Sequence, residues 1–96
     1  MDEVTITRHE QGSQGEYHAH VAGSTAIGRL TWVSRGGVRV AEHTLVPREF
    51  GGRGVAARLV DALVADAREQ GFKIDPQCSY VAAAFKKHPE WMDLHA

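Results

Sequence analysis

The sequence predicts an α+β domain: an antiparallel β-meander followed by a helix, a short strand and a second helix. Three observations predict it. Short apolar and β-branched runs with glycine- and serine-rich breaks fill residues 4–46. After Pro47 the apolar period lengthens from two to that of a helix. One further strand-like run, residues 72–75, then precedes a second helical stretch.

Residues 4–8 alternate Val4 and Ile6 with Thr5 and Thr7, and residues 16–22 alternate Tyr17, Ala19 and Val21 with Glu16, His18 and His20, so each segment offers one face for burial. Residues 26–33 carry Leu30 and Trp32 on one side and Ile27 and Val33 on the other. Residues 38–46 are rich in valine, so cover on both faces is expected for this pair. The connections Ala22-Gly23-Ser24 and Ser34-Arg35-Gly36-Gly37 are hairpin length. Beyond Pro47, Val55, Leu59, Leu63 and Ala67 recur every four residues, and Ala56, Val60 and Val64 widen the stripe into a face that packs on a sheet. Gly71 is placed to cap that helix in the left-handed conformation. Pro76 stops the short strand, and Pro89 ends a helix over residues 79–87 whose Val81, Ala82 and Phe85 point inward. With no repeat, low-complexity tract or linker, residues 1–96 read as one domain.

Composition narrows the function. A hydrophobic share of 43% and a charged share of 24% belong to an ordinary globule, and a domain this small has room for a groove rather than a deep enclosed pocket. Eleven Lys and Arg against twelve Asp and Glu leave a net charge of −1, which argues against the broad basic face of a nucleic-acid binder. The single cysteine, Cys78, excludes an intrachain disulfide and a multi-cysteine metal site. The amino terminus has no basic segment leading into an apolar run, and no apolar stretch approaches the ~18 residues of a membrane span. A cytoplasmic protein with neither membrane nor nucleic-acid partners is expected.

The most informative segment is Gly51-Gly52-Arg53-Gly54-Val55-Ala56, between a predicted strand and an amphipathic helix. Glycines let an anion approach backbone N–H groups. The first turn of a helix leaves four such donors unpaired and carries about half a positive charge, so a phosphate gains hydrogen bonds and a favourable dipole together. Arg53 and Arg48 can add charge-assisted contacts. No Gly-Lys pair exists, which excludes a P-loop. Residues 52–57 satisfy G-x-G-x-x-A, and Asp75 lies near the distance of a ribose-binding acid. A dinucleotide fold, however, begins with this turn, whereas here an antiparallel half precedes it.

Residues 41–60, AEHTLVPREFGGRGVAARLV, resemble the signature Q/R-x-x-G-x-G/A of the GNAT N-acetyltransferase superfamily, which comes after a strand ending in V-P. Gly54 and Ala56 match its fourth and sixth positions, and Gly51 stands where the family usually has Gln or Arg. The resemblance continues through CSYV at 78–81 and KHPEW at 87–91, covers nearly the whole chain, and is closest to the small single-domain GNAT-like proteins. It implies a mixed sheet whose fourth and fifth strands splay to admit the pantetheine arm of acetyl-CoA, with the backbone of Leu45 and Val46 pairing to it. Gly51, Gly52, Arg53, Gly54, Val55 and Ala56 would hold the pyrophosphate. The implied function is acetyl-CoA-dependent transfer to an amine on a small molecule, a protein or a peptide. The alternative is a noncatalytic acyl-CoA-binding or protein-interaction module, since no inserted acceptor-binding loop is evident.

Three residues are candidates for the chemistry. Cys78, after the short fifth strand, would lie near the thioester in a GNAT-like fold, as a covalent relay or as lining of the acceptor site; otherwise it is a small buried hydrophobe. His43 is the candidate general base, an imidazole two residues before the pantetheine-pairing backbone; otherwise it is a strand histidine bonded to backbone. If alternation holds, Glu42 points to the face opposite His43. Tyr80 is placed, as in GNAT enzymes, to protonate the departing thiolate, or else is core packing. His18 and His20 form H-x-H and could hold a metal with His9 or His43, but without a carboxylate or cysteine at ligand spacing a solvated strand face is preferred and no metal is expected. Arg58, Lys86 and Lys87 read as a charged helix face or as partners of the cofactor's 3′-phosphate.

Overall fold

The computed structural model describes residues 3–96. Strands β1 (Val4–Gln11), β2 (Gln14–Val21), β3 (Ile27–Arg35) and β4 (Val38–Leu45) form an antiparallel meander. Helix α1 (Val55–Gln70) crosses back to β5 (Lys73–Pro76), which pairs parallel to β4, and α2 (Ser79–Lys87) comes after it. The result is a five-stranded mixed α+β sheet in the order 1-2-3-4-5, with the long connection that a parallel pair requires supplied by α1. Short 3-10 turns cover Arg48–Phe50 and Pro89–Leu94.

β1 runs to Gln11, three residues beyond the apolar alternation. Arg8, His9, Glu10 and Gln11 are polar but pair in register with Tyr17, Glu16, Gly15 and Gln14 across a tight turn in which Gly12 takes φ 64°. Cross-strand hydrogen bonding extends the strand where side-chain patterning gives no sign of it.

The two faces of the sheet differ. Tyr17, Ala19, Val21, Leu30, Trp32 and Ala41 are buried in one core with Val55, Leu59, Val60, Leu63, Val64 and Ala67 of α1, Val81 and Phe85 of α2, and Trp91 and Leu94. Ile27, Thr31 and Val33 of β3 face the other way, remain half-buried and lie outside that core. Cover on both faces of β3 is therefore not found: the two α-helices among the described residues share one side. Gly15 makes close packing possible on that side, since a Cβ there would stand 2.4 Å from the Trp32 ring and 2.7 Å from the His9 carbonyl oxygen.

α1 also buries a carboxylate. Asp66, 6% exposed, accepts from the Tyr17 hydroxyl and from Arg8 Nε, both at 2.8 Å, while Arg39 Nη1 donates to the Tyr17 hydroxyl at 2.9 Å. The Arg39 guanidinium is sandwiched between the Trp32 and Phe72 rings, 3.6 and 4.2 Å from their centroids. Burial pushes the Tyr17 hydroxyl far above its ordinary pKa, and its bond to Asp66 pushes it further.

β4 carries two irregularities. Its register with β3 slips between Thr31, opposite His43, and Trp32, opposite Ala41, leaving Glu42 as the extra residue of a bulge. Pairing with β5 also stops at Ala41 opposite Pro76. Pro76 has no N–H to continue the ladder, and the Ala41 carbonyl accepts instead from Cys78 N–H at 2.9 Å. From Glu42 to Leu45, β4 therefore runs without a β5 partner.

Candidate functional site

After β4 the chain passes Val46 and Pro47 into the 3-10 turn, where Phe50, 2% exposed, anchors the glycine segment to the core. Gly52 and Gly54 take φ of 76° and 71°. A Cβ at either would meet nothing within 4 Å, so the demand for glycine is conformational rather than steric. Gly54 is the N-cap of α1. It offers no side-chain cap, the first turn has no acidic residue, and the backbone bond opening the helix is Arg58 N–H to the Gly54 carbonyl at 3.1 Å. The N–H groups of Val55, Ala56 and Ala57 thus precede the helical ladder, the condition for an anion site.

A cavity of about 250 Å³ opens at this turn, lined by Val46, Phe50, Gly51, Gly52, Gly54, Val55, Ala56 and Tyr80. Six of the residues expected to hold the cofactor therefore line one space. Leu45, at the unpaired end of β4, is 59% exposed and does not line it, nor does Arg53.

Cys78 is the N-cap of α2, buried, with Sγ 3.3 Å from Thr44 Oγ1. Burial pushes its thiol up, but the Thr44 side chain, the first-turn amides of Val81 and Tyr80, and the Thr44 backbone draw it down and prevail, leaving the thiol below its ordinary value. Tyr80, 41% exposed, stands two residues onward at the rim of the glycine cavity. It also borders a second crevice, of about 220 Å³, between α1 and α2.

The structure brings Cys78, Thr44, Tyr80 and the glycine turn together on the helix side of the sheet and sets His43, exposed and opposite Thr31, on the other. The bulge decides this. Strict alternation from buried Ala41 would turn His43 inward and Thr44 outward, and the extra residue Glu42 exchanges them. Glu42, half-buried, lines a broad groove on the open face with Glu16, His18 and Thr31. Thr44 is the neighbour that sequence reasoning missed, because period-two counting hides a residue an odd number of places from Ala41.

The remaining candidates have defined partners. Arg58 Nη2 donates to the Val4 carbonyl at 3.2 Å, which ties the helix to β1. His88 stacks on Trp91 at 4.0 Å, and Trp91 meets Phe85 edge-on at 5.5 Å, so the His-Pro-Glu-Trp segment packs. His9, His18 and His20 come together on the open face. Among the described residues no helix is long and apolar enough to cross a membrane.

Comparison with known families adds one finding: the family described as GCN5-related N-acetyl-transferase matches residues 16–94. No curated protein matches the chain.

Proposed function

The chain belongs to the GCN5-related N-acetyltransferase family, and from that premise we propose that it transfers the acetyl group of acetyl-CoA to an amine. The observation that carries the reading is the glycine-turn cavity, where uncapped helix N–H groups lie just past the end of β4 that runs unpaired beyond Ala41 and Tyr80 forms the rim, two residues from the Cys78 thiol. In this reading the pyrophosphate rests on the amides of residues 54–56, and the pantetheine arm runs along the free edge of β4 as a surrogate strand. The thioester then lies by Cys78 at the start of α2.

The amine approaches from the open face. His43 takes its proton, the nitrogen attacks the thioester carbonyl, the carbon–sulfur bond breaks, and Tyr80 returns a proton to the coenzyme A thiolate. Cys78 lines the thioester or relays the acetyl group; its lowered thiol favours nucleophilic character, and an acetylated Cys78 trapped with acetyl-CoA alone distinguishes the relay. The acceptor is an exposed amine on a small molecule, a peptide or a protein, and a reducing cytoplasm suits the single thiol.

A noncatalytic acyl-CoA-binding module is the second reading, favoured by the separation of His43 and Cys78 onto opposite faces. Coenzyme A at 100 times its dissociation constant should stabilise the fold by ~2.7 kcal/mol in either case. Turnover over an amine panel separates the two. His43→Ala should lower turnover by roughly 100-fold with binding retained; if His43→Ala and Cys78→Ala both leave turnover intact, the assigned chemistry is wrong though the cofactor site stands. No shift at millimolar coenzyme A sinks both readings.

A further inference from the structure

We infer that His9, His18 and His20 form a binding site for a zinc-type divalent cation on the open face of the sheet. The β1–β2 register creates the cluster. Thr7 lies opposite His18, Thr5 opposite His20 and Glu16 opposite His9, so the three histidines occupy alternate positions of two neighbouring strands and all project to the same side. One ring nitrogen from each lies within 4.8 Å of those of the other two. A tetrahedral zinc site with bonds of about 2.0–2.1 Å separates its nitrogen ligands by about 3.3 Å, so closure takes only small side-chain rotations.

A second observation points to the same place. Thr7 Oγ1 stands 2.8 Å from His9 Nε2 and 2.9 Å from His20 Nε2, so two imidazole nitrogens from different strands already converge on one atom. A third ring, that of His18, sits beside them with its centroid 4.0 Å from that of His9. Glu16 Oε1 lies 2.7 Å from His18 Nε2, supplying the carboxylate that orients a ligating imidazole through its other nitrogen. Glu16 also draws Arg29 Nη1 to 3.9 Å, which occupies the nearest cation of the neighbouring strand.

Three imidazoles without a thiolate suit zinc, cobalt, nickel or copper rather than magnesium or calcium. Three protein ligands leave one position open, and His9 and His18 line the groove that also contains Glu16 and Glu42, so that position faces the groove. The sequence favours a solvated strand face here because no carboxylate or cysteine at ligand spacing completes H-x-H and it leaves His9 and His43 open as the third ligand; the β1–β2 register selects His9.

The test is a titration of the tag-free full chain with Zn²⁺ by calorimetry and with Co²⁺ by visible absorption. One saturable equivalent and the intense band of tetrahedral cobalt are expected. His18→Ala and His20→Ala should each weaken binding roughly tenfold or more, with the far-UV dichroism unchanged. His43→Ala, His88→Ala, His95→Ala and Cys78→Ser should leave it as it was. Absence of saturable binding, or binding that survives both cluster substitutions, or binding lost with His43 or Cys78, overturns the site. Coenzyme A stabilisation is read in His18→Ala and His20→Ala, whose positions lie outside the proposed cofactor site, and should be unaltered there, so failure here leaves the acetyltransferase reading standing.

Discussion

The two faces of this sheet are made by the same strands, residue by residue in alternation, yet they serve opposite ends. The helix side holds the core, the Asp66 network and the glycine turn; the open side holds His20 and His43 and a groove lined by His9, His18 and Glu42. A chain of 96 residues has little material to cover a sheet twice, and α1 and α2 both lie on one side. The contrast teaches that the packed core and the glycine-turn cavity can be concentrated on one face, leaving the other to polar side chains.

The largest effect should come from the covered face. Leu63, 0% exposed, cut to alanine should cost about 3–4 kcal/mol in denaturant unfolding. Ile27→Ala on the open face should cost about 1 kcal/mol. Equal losses would mean that the open face is as well packed as the other and would break the comparison.

Asp66→Ala comes next, at about 3 kcal/mol, because it strands the Tyr17 hydroxyl as a donor, removes the anion of Arg8 and loosens the hydroxyl to which Arg39 donates. Arg8 is itself held above its ordinary pKa by the bond to Asp66, so its charge persists at any usable pH. A loss no greater than that of an exposed helix substitution would show the network to be incidental.

Gly54→Val should cost about 1–2 kcal/mol, since a β-branched residue is forced into the left-handed region at φ 71°. It should also erase the stabilisation by coenzyme A. Retention of that stabilisation would detach the cofactor from the turn.

The smallest effect is a shift in reactivity. The thiolate is the reactive form, and Cys78 has a lowered pKa, so alkylation should persist below the pH at which an ordinary thiol falls silent and fade only as pH drops through the lowered value. Thr44→Val should move the profile upward, and an unchanged profile would remove Thr44 from the account.

Much of the fold was legible in the residues because the deciding interactions are short-range. Val55, Leu59, Leu63 and Ala67 fall on one helix face by spacing alone, and all four are buried. Gly71 takes φ 81° as the cap, and Tyr17, Ala19 and Val21 alternate into the core as their spacing predicts. The glycine segment, too, announces a bend and an uncapped helix start by composition, and all of its residues but Arg53 line the cavity at α1.

Only the tertiary structure decided which side chains meet across strands. The extra residue at Glu42 exchanges His43 with Thr44, the lapse of pairing at Pro76 opens the edge of β4, and the β1–β2 register gathers His9 with His18 and His20. Asp66 interrupts an apolar stripe for partners 58 and 49 residues away in the chain. Periodicity is a property of neighbours along the backbone and can be counted in one dimension; register is a relation between distant segments, and a slip of one residue reverses every face it touches.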